Sequence, residues 1–326
     1  MRRRDFVSLV GGAMTWPLMA RAQQPGVSRI GALYIGNADV EQFKEGLRKG
    51  LRELGHIEGK DILFEFRSAE GKPERLPALA ADLVRLKVDV IVALYTPCAV
   101  AAKGATREIP IVMLSGDPVE LGLVASLARP GNNVTGISLM AAEVCGKFVE
   151  LFRDMLPSVR RVAVLARAAS GNSLDPLFAN AMLEQIHLAG RTIGIEIEPV
   201  IMISEAAESE AAFSEMKERR ADAVIVQGSL SNKQVTDLAL EHRLPAASNP
   251  RSFTEVGGLM SYGADGPSSF LRSTVFVHKI LKGSKPMELP VEQPTKFELV
   301  VNLKTARTIG LSISDAFLAR ADTVIE

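Results

Sequence analysis

The sequence predicts an α/β protein made of two similar Rossmann-like lobes with parallel sheets, joined by a hinge that the chain crosses three times. Three observations predict it. From residue 29 onward, short β-rich runs alternate with longer stretches of helical period. That alternation is written twice, and glycine- and proline-rich loops sit where the chain would pass from one copy to the other. The length of 326 residues agrees with two domains of about 150 residues each.

In the first copy, residues 30–35 form a strand, and Phe43, Leu47, Leu51 and Leu54 follow at helical spacing until Gly55 ends the helix. Residues 62–66 are the next strand. A helix over 74–86 leads to a strand over 88–94, and a helix through 99–105 leads to a strand over 109–114. The second copy repeats the order with a strand over 161–165, a helix over 177–188, a strand over 195–202, a helix over 211–219 and a strand over 221–226. Three landmarks measure the offset: Arg29 to Arg161 is 132 residues, Asp89 to Asp222 is 133, and Pro110 to Pro245 is 135. A period this long marks a repeated domain rather than a solenoid.

The connections shape what two lobes do. Pro130-Gly131-Asn132-Asn133 feeds a crossover strand over 134–139, and Gly257-Gly258 feeds a second over 259–262. A helix over 268–281, a proline-rich return over 286–294 and a strand over 297–301 follow. The first lobe is then 28–138 plus 262–292, and the second is 139–261 plus 293–326, with pivots near 134–139, 257–262 and 290–297. A hinge between two sheets makes a cleft.

Composition narrows the function. Lys+Arg and Asp+Glu both total 38, so no basic excess exists to bind nucleic acid or anionic lipid. Two cysteines 47 positions apart and four scattered histidines show no metal-ligand spacing. Before residue 29 the chain reads as an address. Arg2, Arg3 and Arg4 precede an apolar stretch over 6–20 that ends in Ala20-Arg21-Ala22, a small-x-small cleavage signature. Arg3-Arg4 followed by Phe6-Val7 resembles a twin-arginine export signal. About 15 apolar residues broken by Pro17 fall short of the roughly 20 that span a bilayer, so residues 1–22 are expected to be a removed export signal, not an anchor. The mature protein is expected to be a periplasmic monomer, not membrane-embedded, with a net charge near −3 once four arginines and Asp5 leave.

Ligands of open α/β sheets sit outside the carboxyl ends of the strands, where helix N-termini aim N–H groups at them. The residues that follow the predicted strands are therefore the candidates. Tyr34, Gly36, Asn37 and Asp39 follow the first; Tyr95 and Thr96 follow the third; Ser115 and Asp117 follow the fourth; Gln227 and Asn249 occupy corresponding places in the second lobe. All three tyrosines of the chain, Tyr34, Tyr95 and Tyr262, fall at strand ends and form a candidate aromatic wall for a ligand that is partly apolar and partly polar. Asp117 either caps its helix or pairs with a ligand cation. Arg251 either meets a ligand carboxylate or is a solvated loop residue.

Catalytic motifs are missing: there is no phosphate-binding loop, no dinucleotide fingerprint after the first strand, no Gly-x-Ser-x-Gly elbow and no His-Glu-x-x-His. Cys98 at a helix start is the one feature a nucleophile could use, and a packed thiol is the better reading because His56, His187, His242 and His278 all lie within or just after helices. No cofactor is expected.

Several segments then carry a family likeness. Tyr95-Thr96-Pro97-Cys98-Ala99, Ile109-Pro110-Ile111-Val112, Gly116-Asp117-Pro118-Val119, Leu127-Ala128-Arg129-Pro130-Gly131-Asn132-Asn133-Val134-Thr135-Gly136, Gly257-Gly258-Leu259-Met260-Ser261-Tyr262-Gly263 and Val301-Asn302-Leu303-Lys304-Thr305-Ala306 resemble the tryptophan/tyrosine-type substrate-binding proteins of ABC transporters. The resemblance covers nearly all of the chain after the leader. It implies a type I periplasmic binding protein that closes on a small ligand and delivers it to an ABC transporter permease; with the strand-end residues above, the expected ligand is an amino acid or an aromatic or apolar carboxylate. Where it implies an Asn-Pro pair in the first loop of the second lobe, this chain has Ala166-Arg167-Ala168-Ala169-Ser170. A sensory module for a membrane receptor shares the fold and is the alternative; an enzyme would need a nucleophile or cofactor site that no motif supplies.

Overall fold

The computed structural model describes residues 26–36, 39–168 and 175–326. Residues 1–22, expected from the sequence to be an export signal, Asn37 and the Ala169-Ser170 end of the second-lobe loop lie outside the described residues. The first lobe runs β1 (Ser28–Tyr34), α1 (Val40–Glu53), β2 (Ile62–Ser68), α2 (Leu76–Arg85), β3 (Val90–Leu94), α3 (Thr96–Ala105), β4 (Ile111–Ser115) and β5 (Val134–Ser138). The second runs α4 (Ala141–Met155), β6 (Arg161–Arg167), α5 (Asp175–Ile193), β7 (Glu196–Ile203), α6 (Ser209–Glu218), β8 (Ala223–Val226), α7 (Lys233–Glu241), β9 (Ala246–Ser248), α8 (Ser252–Glu255) and β10 (Met260–Ala264). Then come α9 (Gly266–Leu281), β11 (Phe297–Asn302), α10 (Leu303–Ile309), α11 (Asp315–Leu318) and β12 (Thr323–Ile325).

The two sheets have the same plan. One is ordered β2-β1-β3-β4-β5 and the other β7-β6-β8-β9-β10, extended by β11 and β12. All pairings are parallel except β10 with β11. The runs covered by helix layers are buried on both faces: every residue of β3, β4 and β5 is buried, while the edge strands β2 and β7 are partly exposed. The landmarks of the repeat do the same work in each lobe. Asp89 accepts from the Arg29 N–H at 2.7 Å and donates its own N–H back to the Arg29 carbonyl at 2.8 Å; Asp222 does so with Arg161 at 2.9 and 2.8 Å. The carbonyls of Pro110 and Pro245 accept from the next strand inward, from Ile91 at 2.9 Å and Val224 at 2.8 Å. Each Arg–Asp pair ties the start of one strand to the start of its neighbour, so the repeated residues set the register of both sheets.

The chain changes sheets after β5, after β10 and before β11. The second change falls after Ala264 rather than at Tyr262, because β10 is a full strand of the second sheet in which Tyr262 pairs with Leu299. The three crossing segments lie side by side. Ser138 donates to the Glu292 carbonyl at 2.8 Å, Glu292 donates to the Gly136 carbonyl at 3.0 Å, and Asp265 donates to the Lys296 carbonyl at 3.3 Å. Beyond the second crossing, α9 packs on the first lobe against α1. The two helices approach closely because Gly46 and Gly50 carry no side chain where they meet. A Cβ at Gly46 would lie 2.7 Å from the Phe270 Cβ, and one at Gly50 would lie 2.4 Å from the Thr274 Oγ1.

Candidate ligand-binding site

In the first lobe β3 ends at Leu94, and Tyr95 turns the chain at once into α3 with a φ of 71°, a left-handed conformation that costs a non-glycine residue free energy. Pro97 in the first turn fits where its missing N–H is no loss. The turn is held from inside. The buried Thr96 Oγ1 lies 2.9 Å from the Ser115 Oγ and accepts from the Gly116 N–H at 3.1 Å, so the ends of β3 and β4 are tied together. The Tyr95 hydroxyl donates to Asp39 Oδ2, just before α1. Asp39 is 4% exposed, and its other oxygen, Oδ1, has no protein partner. Burial pushes this carboxyl up to about 6, against the lowering effect of the Tyr95 hydrogen bond and with help from the charge of Glu255 across the cleft. Burial, with the neighbouring Asp39 charge, holds the Tyr95 hydroxyl well above its usual value, so it stays a proton donor.

The second lobe faces this surface with the ends of β8, β9 and β10. Gln227 is 3% exposed, and its Oε1 accepts from the Arg167 N–H at 2.7 Å. Asn249 accepts from the Cys145 thiol at 3.4 Å through Oδ1, while its Nδ2 has no partner. The hydroxyls of Ser229 and Ser252 also lack partners. Between the lobes lies a cleft of about 890 Å³, mouth included, floored by Pro97, Leu139, Pro250, Gly263, Ala264, Pro267 and Phe270. Four buried polar atoms without a protein partner, Asp39 Oδ1, Ser229 Oγ, Asn249 Nδ2 and Ser252 Oγ, belong to residues that line this one cavity. A buried unsatisfied polar group costs about 1–3 kcal/mol, so four around a single space describe a surface built to be completed by a ligand. At the rim, Gln42 of the first lobe donates to Glu255 of the second at 3.0 Å.

Of the residues expected from the sequence, Tyr95, Thr96, Gln227 and Asn249 line the cleft together. Four others stand elsewhere. Ser115 is one layer behind Thr96, fully buried. Asp117 accepts from the Ala142 N–H at 3.0 Å, so it caps the start of α4 across the first crossing and does not meet the cleft. Tyr34 is 5% exposed and packs edge-on to Phe43 at 6.3 Å, which in turn packs edge-on to Phe270 at 5.6 Å; it supports the wall from two rings away. Tyr262 stacks on Phe297 at 6.0 Å, because the antiparallel partner strand brings that ring beside it. The aromatic wall of three tyrosines therefore reduces to Tyr95, with Phe270 as the other ring. Arg251 lines the cleft but already pairs with Glu255 at 3.0 Å and with Glu298, which leaves it poorly placed to receive a ligand carboxylate.

Sequence reasoning missed the contribution of α9. Its start is marked by Asp265-Gly266-Pro267-Ser268, and the Asp265 Oδ1 accepts from the Ser268 N–H at 3.1 Å. The cap and proline were legible, but not that the crossing before them turns Phe270 into the cleft. Both cysteines are buried, and burial pushes the Cys145 thiol up to about 12. Among the described residues no group of three or more His, Cys, Asp or Glu side chains is placed to hold a metal ion, and no helix is long and apolar enough to cross a membrane.

Known proteins share this architecture. A solved conserved domain protein from Vibrio cholerae is 27% identical, with a TM-score of 0.81 over 91% of this chain and 99% of that one. The ABC domain from Streptococcus pneumonia, solved in complex with L-Trp, is 24% identical with a TM-score of 0.82, again over 91% and 99% of the two chains, a likeness of fold. A protein of Clostridioides difficile (strain R20291) named tyrosine-binding protein is 26% identical over 290 residues, which are 88% of this chain and 80% of that protein. The fold is that of type I periplasmic binding proteins, as the sequence indicates, and the family whose profile matches is one of substrate-binding proteins, not of enzymes. Residues 32–325 match the profile of the ABC transporter substrate binding proteins, and the chain belongs to that family.

Proposed function

We propose that this chain is the periplasmic component of an ABC importer, a monomer that closes on an amino acid or an aromatic or apolar carboxylate and delivers it to a membrane permease. The four unpartnered polar atoms spread over the two lobes carry this reading, since a ligand that satisfies them must touch both lobes at once. The apolar floor takes the ligand's side chain, and the first turn of α3 offers donors to its carboxylate. The crossings after β5, after β10 and before β11 are the pivots on which the lobes open. A relative named for tyrosine and a neighbour holding L-Trp point to the same ligand class.

A thermal-shift screen of the twenty amino acids and of aromatic and apolar carboxylates tests it. A true ligand at 100 times its dissociation constant adds about 2.7 kcal/mol to stability, a clear shift in melting temperature. Small-angle scattering with the best ligand should then show a smaller radius of gyration than an opened, ligand-free sample. A screen in which no amino acid or carboxylate moves the transition sinks the reading.

A further inference from the structure

Asp39 is the most unusual group in the cleft. A carboxylate this deeply buried is ordinarily paired with a cation. Among the described residues Asp39 has no ion pair: its one side-chain partner is the neutral Tyr95 hydroxyl, and the charge that acts on it is another carboxylate, Glu255 of the opposite lobe. The one arginine that lines the cleft, Arg251, is spent on Glu255 and Glu298. Asp39 Oδ1 is left buried and unpartnered in a residue that lines the cleft.

We infer that Asp39 is the specificity-determining residue that receives a ligand ammonium, so that the cleft selects amine-bearing ligands over carboxylates of the same shape. The inference rests on the proposed function and deepens it, since that reading admits both amino acids and plain carboxylates. An ammonium supplies the N–H donor that Oδ1 lacks and the positive partner that Asp39 lacks. The Tyr95 hydroxyl fixes the carboxylate's orientation through Oδ2, leaving Oδ1 for the ligand. The competing chemistry is a protonated Asp39 that donates to a ligand oxygen. The two differ in a measurable way: asparagine imitates the protonated acid as a donor but cannot supply the negative charge.

Isothermal titration of L-phenylalanine, L-tyrosine, L-tryptophan and L-leucine against their deaminated counterparts, such as 3-phenylpropionate, separates these cases. The parent protein is expected to bind the amino acid at least about 30-fold more tightly than its counterpart, and Asp39→Asn to lose about 30-fold or more for the amino acid alone. Near pH 6, binding of the amino acid should release protons, seen as an enthalpy that depends on the buffer's ionisation heat. The parent-protein comparison and the proton release stand even if the variant does not fold. Equal affinity for the deaminated acids, or an Asp39→Asn protein that keeps the amino acid within about three-fold, overturns the inference while leaving the binding function in place. Binding by neither series overturns the proposed function, and the inference with it.

Discussion

The raised carboxyl of Asp39 makes a stability prediction for the unliganded protein. Its pKa is about 6 when folded against a model value of 3.8, because burial disfavours the charged form. Between those two values the folded state binds more protons than the unfolded chain, so unfolding free energy falls as pH rises through that window. From about pH 4.5 to about pH 7.5 the integrated loss from this one group is about 2 kcal/mol. Other carboxylates act the opposite way. Arg67 holds Asp82 low and Arg272 holds Glu292 low, and each favours the folded state as pH rises. Subtraction removes them: urea unfolding of the parent and of Asp39→Asn, followed by far-ultraviolet circular dichroism across this range, leaves only the Asp39 contribution. The difference between the two curves should change by about 2 kcal/mol, the parent gaining on the variant as pH falls. Parallel curves would refute the argument, and would mean that the carboxyl is more hydrated than its surroundings imply.

Two further outcomes follow from the placement of the predicted residues. Tyr262→Leu should leave ligand affinity unchanged in calorimetry but cost about 0.5–1.5 kcal/mol of stability, because its ring stacks on Phe297 and not on the ligand; a selective loss of aromatic ligands would restore it to the cleft. Thr96→Ala should cost about 1–3 kcal/mol in urea unfolding by stranding the Gly116 N–H and the Ser115 hydroxyl, while Thr96→Ser keeps both bonds and most of the stability; equal losses in the two variants would show that the hydroxyl is not the link.

The order of strands and helices was legible because parallel strands covered on both faces read as apolar runs, and because Arg29, Asp89 and Pro110 recur as Arg161, Asp222 and Pro245 with the same hydrogen bonds. The short pieces were not. β9 has three residues and α8 four, too few for any period to register, and α4 and α7 went unmarked although α4 begins just beyond the first crossing. At the cleft, the strand-end rule named four residues that line it, Tyr95, Thr96, Gln227 and Asn249, since it identifies the end of a sheet at which such a cleft opens. It does not say which way the last side chain points. Tyr34 ends β1 and Tyr262 lies in the middle of β10, and Phe43 and Phe297 pack against them away from the cleft; neither contact is visible in sequence spacing. Unpartnered atoms such as Asp39 Oδ1 are a property of the assembled lobes and leave no mark in the chain.

The close approach of α1 and α9 reaches beyond the packing of the first lobe. Phe270 lines the cleft and also packs against Gly46, where a Cβ would lie 2.7 Å from its own Cβ. The depth of the ligand chamber is therefore gauged from behind, by how near two helix backbones can come, and not only by the side chains that meet the ligand. An added methyl at position 46 has nowhere to go except against Phe270, so it would shift that wall without substituting any residue that lines the cleft. Ligand length and ligand chemistry are in this way controlled by separate residues: one by a glycine on the outer helix, the other by the polar groups at the strand ends.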